Sequence, residues 1–210
     1  MSEPAVIEVF ADVTCPFTHV GIHRWIERRR ERGRADVALR VRAWPLELVN
    51  GAPLDRDVVA AKVADLRAQV APGLFAGFDP AMFPTTTLPA LRLTDDAYRR
   101  DLATGERVAV ELRDLLFERG RDVADEQLLD EIADHHGVVR SGCGGDDPVR
   151  LDLEEGRRRG VIGSPHFFGP GFDSFCPGLL IDHEGADLRI ALSGRRFDEF
   201  DDRSFGQGTS

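Results

Sequence analysis

Cysteine is scarce in this chain of 210 residues, and the three present, Cys15, Cys143 and Cys176, lie far apart. Three such cysteines do not make a disulfide framework. No C-x-x-C pair or Cys/His cluster is spaced for a structural zinc. No apolar run approaches the roughly 18 residues of a membrane helix, and the N-terminus lacks the basic-then-apolar pattern of a secretory leader. The expectation is therefore a cytoplasmic protein with no membrane partner, whose few thiols are free or catalytic. Positive charge is also in deficit: the formal net charge is −10 and the pI near 5.1. That balance argues against nucleic acid as a partner. The basic run Arg28-Arg29-Arg30-Glu31-Arg32 is read as a solvated helix end, where cations complement the dipole.

What is present is organised around Val6-Ile7-Glu8-Val9-Phe10-Ala11-Asp12-Val13-Thr14-Cys15-Pro16-Phe17-Thr18-His19. Val6 to Phe10 is β-branched and aromatic and reads as a short buried strand. A helical pattern runs from Pro16 to about Arg32. Proline suits the first helical position, where its missing N–H costs nothing. Cys15 thus falls at the N-cap, where unpaired amides and the helix dipole favour negative charge. A cysteine so placed reads as a nucleophile; the bland alternative is a small buried hydrophobe before a proline.

A second stretch, Gly160-Val161-Ile162-Gly163-Ser164-Pro165-His166-Phe167-Phe168, carries a proline directly before an apolar run. Pro165 cannot donate within a central ladder. It can open a strand, and a cis Ser164–Pro165 bond would turn the chain sharply there.

Together the two motifs resemble the thioredoxin fold, and more narrowly its DsbA-like branch. That branch includes FrnE-type oxidoreductases, 2-hydroxychromene-2-carboxylate isomerases and kappa-class glutathione transferases. The resemblance implies an α/β thioredoxin fold with an inserted all-helical domain: residues 1–54 and 146–210 thioredoxin-like, residues 55–145 the helical insertion. It also implies that the proline loop packs beside Cys15. There Ser164 and Pro165 would let an extended substrate, or the peptide part of glutathione, pair with main-chain groups. The disulfide members carry C-x-x-C, whereas this chain has Cys15-Pro16-Phe17-Thr18. A resolving thiol is therefore missing from the helix, since the hydroxyl of Thr18 cannot replace it.

The rest of the chain fits that frame. Val37 to Ala43 alternates at period two and makes a second strand, completing a βαβ unit. Helical periods follow from Asp55 to Val70, Leu88 to Leu93, Thr104 to Arg119, Asp125 to His136 and Pro148 to Arg159. Residues 72–89 read as an irregular loop whose Phe75, Phe78 and Phe83 either wall a cleft or anchor the loop in a core. Strands are expected at Pro165 to Phe168, Leu179 to Asp182 and Leu188 to Leu192, the last two as a hairpin, with a terminal helix from Arg196.

The expected site is Cys15 and Thr18, supported by Pro16, Phe17, His19, Ser164 and Pro165, with no metal. His19 and His23 share a helix face with Cys15, but an N-cap points away from that axis, and tuning of the thiol or plain surface exposure suits His19 as well. Cys143, in the flexible Ser141-Gly142-Cys143-Gly144-Gly145 linker, is a candidate resolving thiol; Cys176 is a weaker one. The leading reading is a thiol–disulfide oxidoreductase with a single active-site cysteine. No tightly bound cofactor is expected. Glutathione or another low-molecular-weight thiol, and a small-molecule thiol or disulfide substrate, are its partners. Two other readings stay open: a glutathione-dependent isomerase or transferase on a hydrophobic small molecule, and a non-catalytic binding module.

Overall fold

Strand β1 (Ala5–Ala11) lies parallel to β2 (Val37–Ala43), in register from Ala5↔Val37 to Ala11↔Ala43. Helix α1 (Pro16–Glu31) connects them. The computed structural model describes residues 5–141, 147–185 and 187–206. The chain returns to this unit through β3 (His166–Gly169), which pairs antiparallel with β1, and β4 (Phe172–Phe175), antiparallel to β3. The sheet order is β2-β1-β3-β4.

Between β2 and α7 (Pro148–Arg158) come α2 (Leu46–Asn50), α3 (Arg56–Gln69), α4 (Leu88–Arg100), α5 (Leu102–Phe117) and α6 (Glu126–His136). Asp55, Asp101, Asp125 and Asp147 cap four of these helices, each accepting from backbone N–H groups of the first turn. A separate hairpin, β5 (Leu179–Glu184) with β6 (Asp187–Leu192), leads into α8 (Gly194–Phe205). Gln69 of α3 closes the hairpin's edge: its Nε2 donates to the Leu188 carbonyl and its Oε1 accepts the Ile190 N–H. The architecture is a thioredoxin fold with an inserted helical segment.

Three elements differ from the expected string. Helix α4 runs to Arg100 rather than Leu93, because Thr94 and Asp96, polar in sequence, face inward and are buried. Strand β4 lies in a stretch where no strand is expected; only Pro170 and Gly171, the latter at φ 74°, make the reversal. The short helix α2 was not expected. Cys143 and most of its glycine linker fall outside the described residues.

One apolar core joins Val13, Val20 and Ala43 to Leu66, Leu112, Phe117 and Leu129 of the helices. A second lies behind the sheet, with Val9, Trp25, Leu39, Phe167 and Phe200. The outer edge of β2 is finished by side chains. Glu106 accepts the Leu39 N–H, the Tyr98 hydroxyl accepts the Val41 N–H and donates to the Leu39 carbonyl, and Asp152 accepts the Ala43 N–H. A bare strand edge, which invites pairing with another chain, is thereby closed.

Candidate active site

Cys15 is the N-cap of α1, with extended backbone (φ −79°, ψ 111°) ahead of Pro16 in the first turn. Its sulfur makes no cap bond to the helix amides. Instead Sγ donates to the Ser164 carbonyl at 3.1 Å, in the loop that leads into β3 beside the end of β1. The Ser164–Pro165 peptide is cis. One turn along, Thr18 Oγ1 lies 2.7 Å from Ser164 Oγ, which also accepts the Asp12 N–H at 3.0 Å. The structure thus brings Cys15, Pro16, Thr18, Ser164 and Pro165 to one place. All are buried except the half-buried Ser164. Cys15 itself is only 4% exposed, so a reacting partner needs to reach the sulfur past its neighbours. Phe17 is half-buried and packs on the first core.

His19 is fully buried and points away from solvent, onto α5. Its Nε2 sits 2.7 Å from Glu118, and its ring packs at a tilt against Phe75 and Phe117. Burial holds the imidazole below its ordinary pKa, against the pull of Glu118. Glu118 also accepts the N–H groups of Phe75 (2.6 Å) and Ala76 (2.9 Å). Partial burial pushes its carboxyl up, but His19 and these two amides outweigh it and hold the group down to about 2. Neutral His19 therefore donates from Nε2 to an ionised Glu118. The clamp fixes Phe75 at φ 65°, a left-handed backbone that a side chain rarely adopts. Phe75 is wholly buried and anchors its loop in the core, which decides against its lining a cleft. Phe78 and Phe83 are half-buried against the same core.

His23 Nε2 bonds Asp114 Oδ1 at 2.8 Å, one helical turn beyond the His19–Glu118 pair. Donor atoms of His19, His23 and Asp114 gather within 4.8 Å of one another, a group able to hold a metal ion. Cys15 is not part of it.

Two further residues belong to the site. Asp12 is entirely buried; its carboxylate accepts from Thr14 N (2.8 Å), Thr14 Oγ1 (2.6 Å) and Leu46 N (2.7 Å), which shapes the turn leading to Cys15. Burial raises its pKa, and the Thr14 and Leu46 bonds and the nearby Arg113 oppose the rise. Arg113, from α5, is buried at 1% exposure, donating to the Ala109 carbonyl and approaching the Asp12 carbonyl at 3.5 Å. Burial weakens its hold on its proton, while Asp12 and then Tyr98 and Cys15 strengthen it. A cation is thus held beneath the turn that carries the thiol. The signal for Arg113 is visible in the sequence as a lone charge inside the apolar stripe of Val108, Ala109, Leu112, Leu115 and Leu116.

Among the larger surface hollows, one of about 730 Å³ is bordered by Glu8, Arg40, Tyr98 and Arg159, and another of about 670 Å³ by Arg29, Glu106 and Arg107. Neither is lined by Cys15 or Pro165.

The fold has close counterparts. A probable DsbA oxidoreductase from Streptomyces coelicolor is 19% identical, with a TM-score of 0.67 over 98% of this chain and 92% of that one. A 2-hydroxychromene-2-carboxylate isomerase is 14% identical, with a TM-score of 0.60 over 81% and 88%. The cytosolic disulfide reductase DsbM from Pseudomonas aeruginosa, solved with GSH, is 16% identical, with a TM-score of 0.59 over 95% of each chain. At these identities the likeness is one of fold. No curated protein matches the chain in sequence. Residues 6–178, from β1 to the start of the hairpin, match the model of the DSBA-like thioredoxin domain, and on the strength of that match over most of its length the chain belongs to this family.

Proposed function

We propose that the protein carries out thiol–disulfide exchange with Cys15 as the attacking thiol, and that glutathione or a similar low-molecular-weight thiol is its redox partner. The observation that carries this is the 3.1 Å contact from Cys15 Sγ to the Ser164 carbonyl, at the N-terminus of α1 and beside the cis proline. Cys15 loses its proton, its thiolate attacks a disulfide RS–SR′, and R′S⁻ leaves as the mixed disulfide forms. The main-chain groups of the Ser164–Pro165 loop suit an extended peptide-like partner such as glutathione. The neighbour DsbM, a cytosolic disulfide reductase solved with GSH, supports both the partner and a reducing cytoplasm as the setting. We assign residues 1–54 and 146–210 to the thioredoxin-like part and residues 55–145 to the helical insertion.

The test is incubation of the reduced protein with oxidised glutathione, followed by intact-mass and peptide analysis. One glutathione on Cys15, absent in Cys15→Ser, is the expected result. An unreactive Cys15 at neutral pH removes the exchange reading and leaves either a binding module or an isomerase. The isomerase reading is favoured by one feature, the hydroxyl pair Thr18–Ser164 beside a lone helix thiol. It predicts that glutathione binds reversibly as the thiol with no mixed disulfide.

A further inference from the structure

Cys15 and Cys176 are both buried and both free. Cys176 follows β4 directly. The β3–β4 register reaches His166↔Phe175, and the next pair places Cys176 across from Pro165, its N–H donating to the Pro165 carbonyl at 3.0 Å. Cys15 Sγ meets the preceding carbonyl, that of Ser164, at 3.1 Å. The Cys15 sulfur and the Cys176 backbone therefore attach to consecutive carbonyls of one loop.

The segment around Cys176 is held firmly. Its backbone has φ 45°, the left-handed region that favours glycine. Leu179 N–H donates to the Cys176 carbonyl at 3.2 Å, and Ser193 N–H (3.1 Å) and Arg24 (2.8 Å) both donate to the Gly178 carbonyl. Arg196 donates to the Phe175 carbonyl at 3.2 Å, which sets a cation beside the thiol. Burial pushes the Cys176 thiol up to about 12; negative charge on Cys15 pushes the same way, and Arg196 opposes.

We propose that Cys176 resolves the mixed disulfide on Cys15, so that the second thiol missing from the first turn of α1 is supplied from the end of β4, next to the proline loop. This rests on the reading of Cys15 as the attacking thiol. After the first exchange Cys15 is held as Cys15–S–S–R. Cys176 gives its proton to solvent and its thiolate attacks Cys15 Sγ. The Cys15–Cys176 bond forms, the bond to R breaks, and RS⁻ leaves and takes up a proton. Two electrons have then passed from the thiol pair to the substrate disulfide. Two molecules of low-molecular-weight thiol return the pair to its reduced state and depart as their own disulfide. The negative charge on Cys15 that opposes ionisation of Cys176 is gone once Cys15 is in a neutral mixed disulfide, whereas the burial of Cys176 and the opposing charge of Arg196 stay.

The test treats wild type, Cys143→Ala, Cys176→Ser and Cys176→Gly with oxidised glutathione, quenches with acid and maps peptides without reduction. Cys176→Gly guards against misfolding, because glycine suits φ 45°. Wild type and Cys143→Ala are expected to give a Cys15–Cys176 cross-linked peptide. Both Cys176 variants should stop at one glutathione on Cys15, with a mixed disulfide that survives at least about tenfold longer, as loss of an intramolecular reactant predicts. Equal clearance of the mixed disulfide in the Cys176 variants, or a cross-link through Cys143 instead, overturns the proposal alone. Absence of glutathione on Cys15 in the Cys176 variants overturns it together with the thiol-exchange reading.

Discussion

The hydroxyls of Thr18 and Ser164 stand 2.7 Å apart and tie the first turn of α1 to the loop that carries the cis proline. Thr18 occupies the place of the second cysteine in a C-x-x-C site, fully buried and three residues from Cys15 on one helix turn. Side chains so spaced are neighbours about 5–6 Å apart at Cβ, within adjustment of disulfide geometry. Thr18→Cys should form a bond between Cys15 and the introduced thiol under mild oxidant. Its reduced form should be less stable by about 1 kcal/mol for the lost hydroxyl contact. Thiol titration before and after oxidation reads the first outcome and urea unfolding the second. Two free thiols persisting at these positions would show that they cannot meet.

Glu118 should give the protein an acid-sensitive contact. Its carboxyl is held down to about 2 in the folded chain, against an ordinary value of 4.5. The unfolded chain therefore binds the proton first as pH falls. The stabilisation is fully present above about pH 4.5 and fades as pH drops toward 2. Glu118→Gln should flatten the stability-against-pH curve in that window and leave its slope at neutral pH alone. Denaturant melts at pH 2.5, 4 and 7 decide it; parallel curves for the two proteins would remove Glu118 as the source.

Arg113→Met should be costly, by about 3 kcal/mol, because it removes the buried cation that offsets the burial of the Asp12 carboxyl. It should also slow alkylation of Cys15 at fixed pH, since Arg113 approaches the Asp12 carbonyl at 3.5 Å in the turn that carries the thiol. Arg113→Lys keeps a charge but not the planar fork, and should restore most of the alkylation rate with only part of the stability. If both variants alkylate at the wild-type rate, Arg113 serves the fold alone.

Tyr98→Phe removes one hydroxyl that serves two backbone groups of β2, the Val41 N–H at 2.9 Å and the Leu39 carbonyl at 3.0 Å. A loss of about 1–3 kcal/mol is expected for groups left buried without a partner. Hydrogen exchange at the Val41 amide should quicken more than at Val9 of the neighbouring strand. Unchanged protection at Val41 would mean that water replaces the hydroxyl.

The first half of the fold was legible because its residues obey one rule each: strict alternation from Val37 to Ala43, and a proline where a helix can begin. The long α4 was not, since Thr94 and Asp96 break the apolar stripe while facing inward; the Asp96 carboxylate is spent on the Ser141 N–H at 2.8 Å. Strand β4 is four residues long between turn formers, too short for its alternation to register. Within the site, Cys15 and Pro165 announced themselves by their chemistry. Asp12 carries no such signal, and its role comes from partners as distant as Leu46. His19 could be placed on the right helix but not on the right face, because the residue it meets, Glu118 just after α5, lies 99 residues away.

The side chains that finish β2 also order the events of synthesis. Leu39 waits 67 residues for Glu106, Val41 waits 57 for Tyr98, and Ala43 waits 109 for Asp152. On its other flank β1 has no neighbour until Phe167 arrives to pair with Val9. At roughly 5–20 residues per second, the β1–α1–β2 unit spends several seconds emerged with both flanks unmet. During that interval Cys15 is already outside the ribosome, while the loop that will shelter its sulfur is still untranslated.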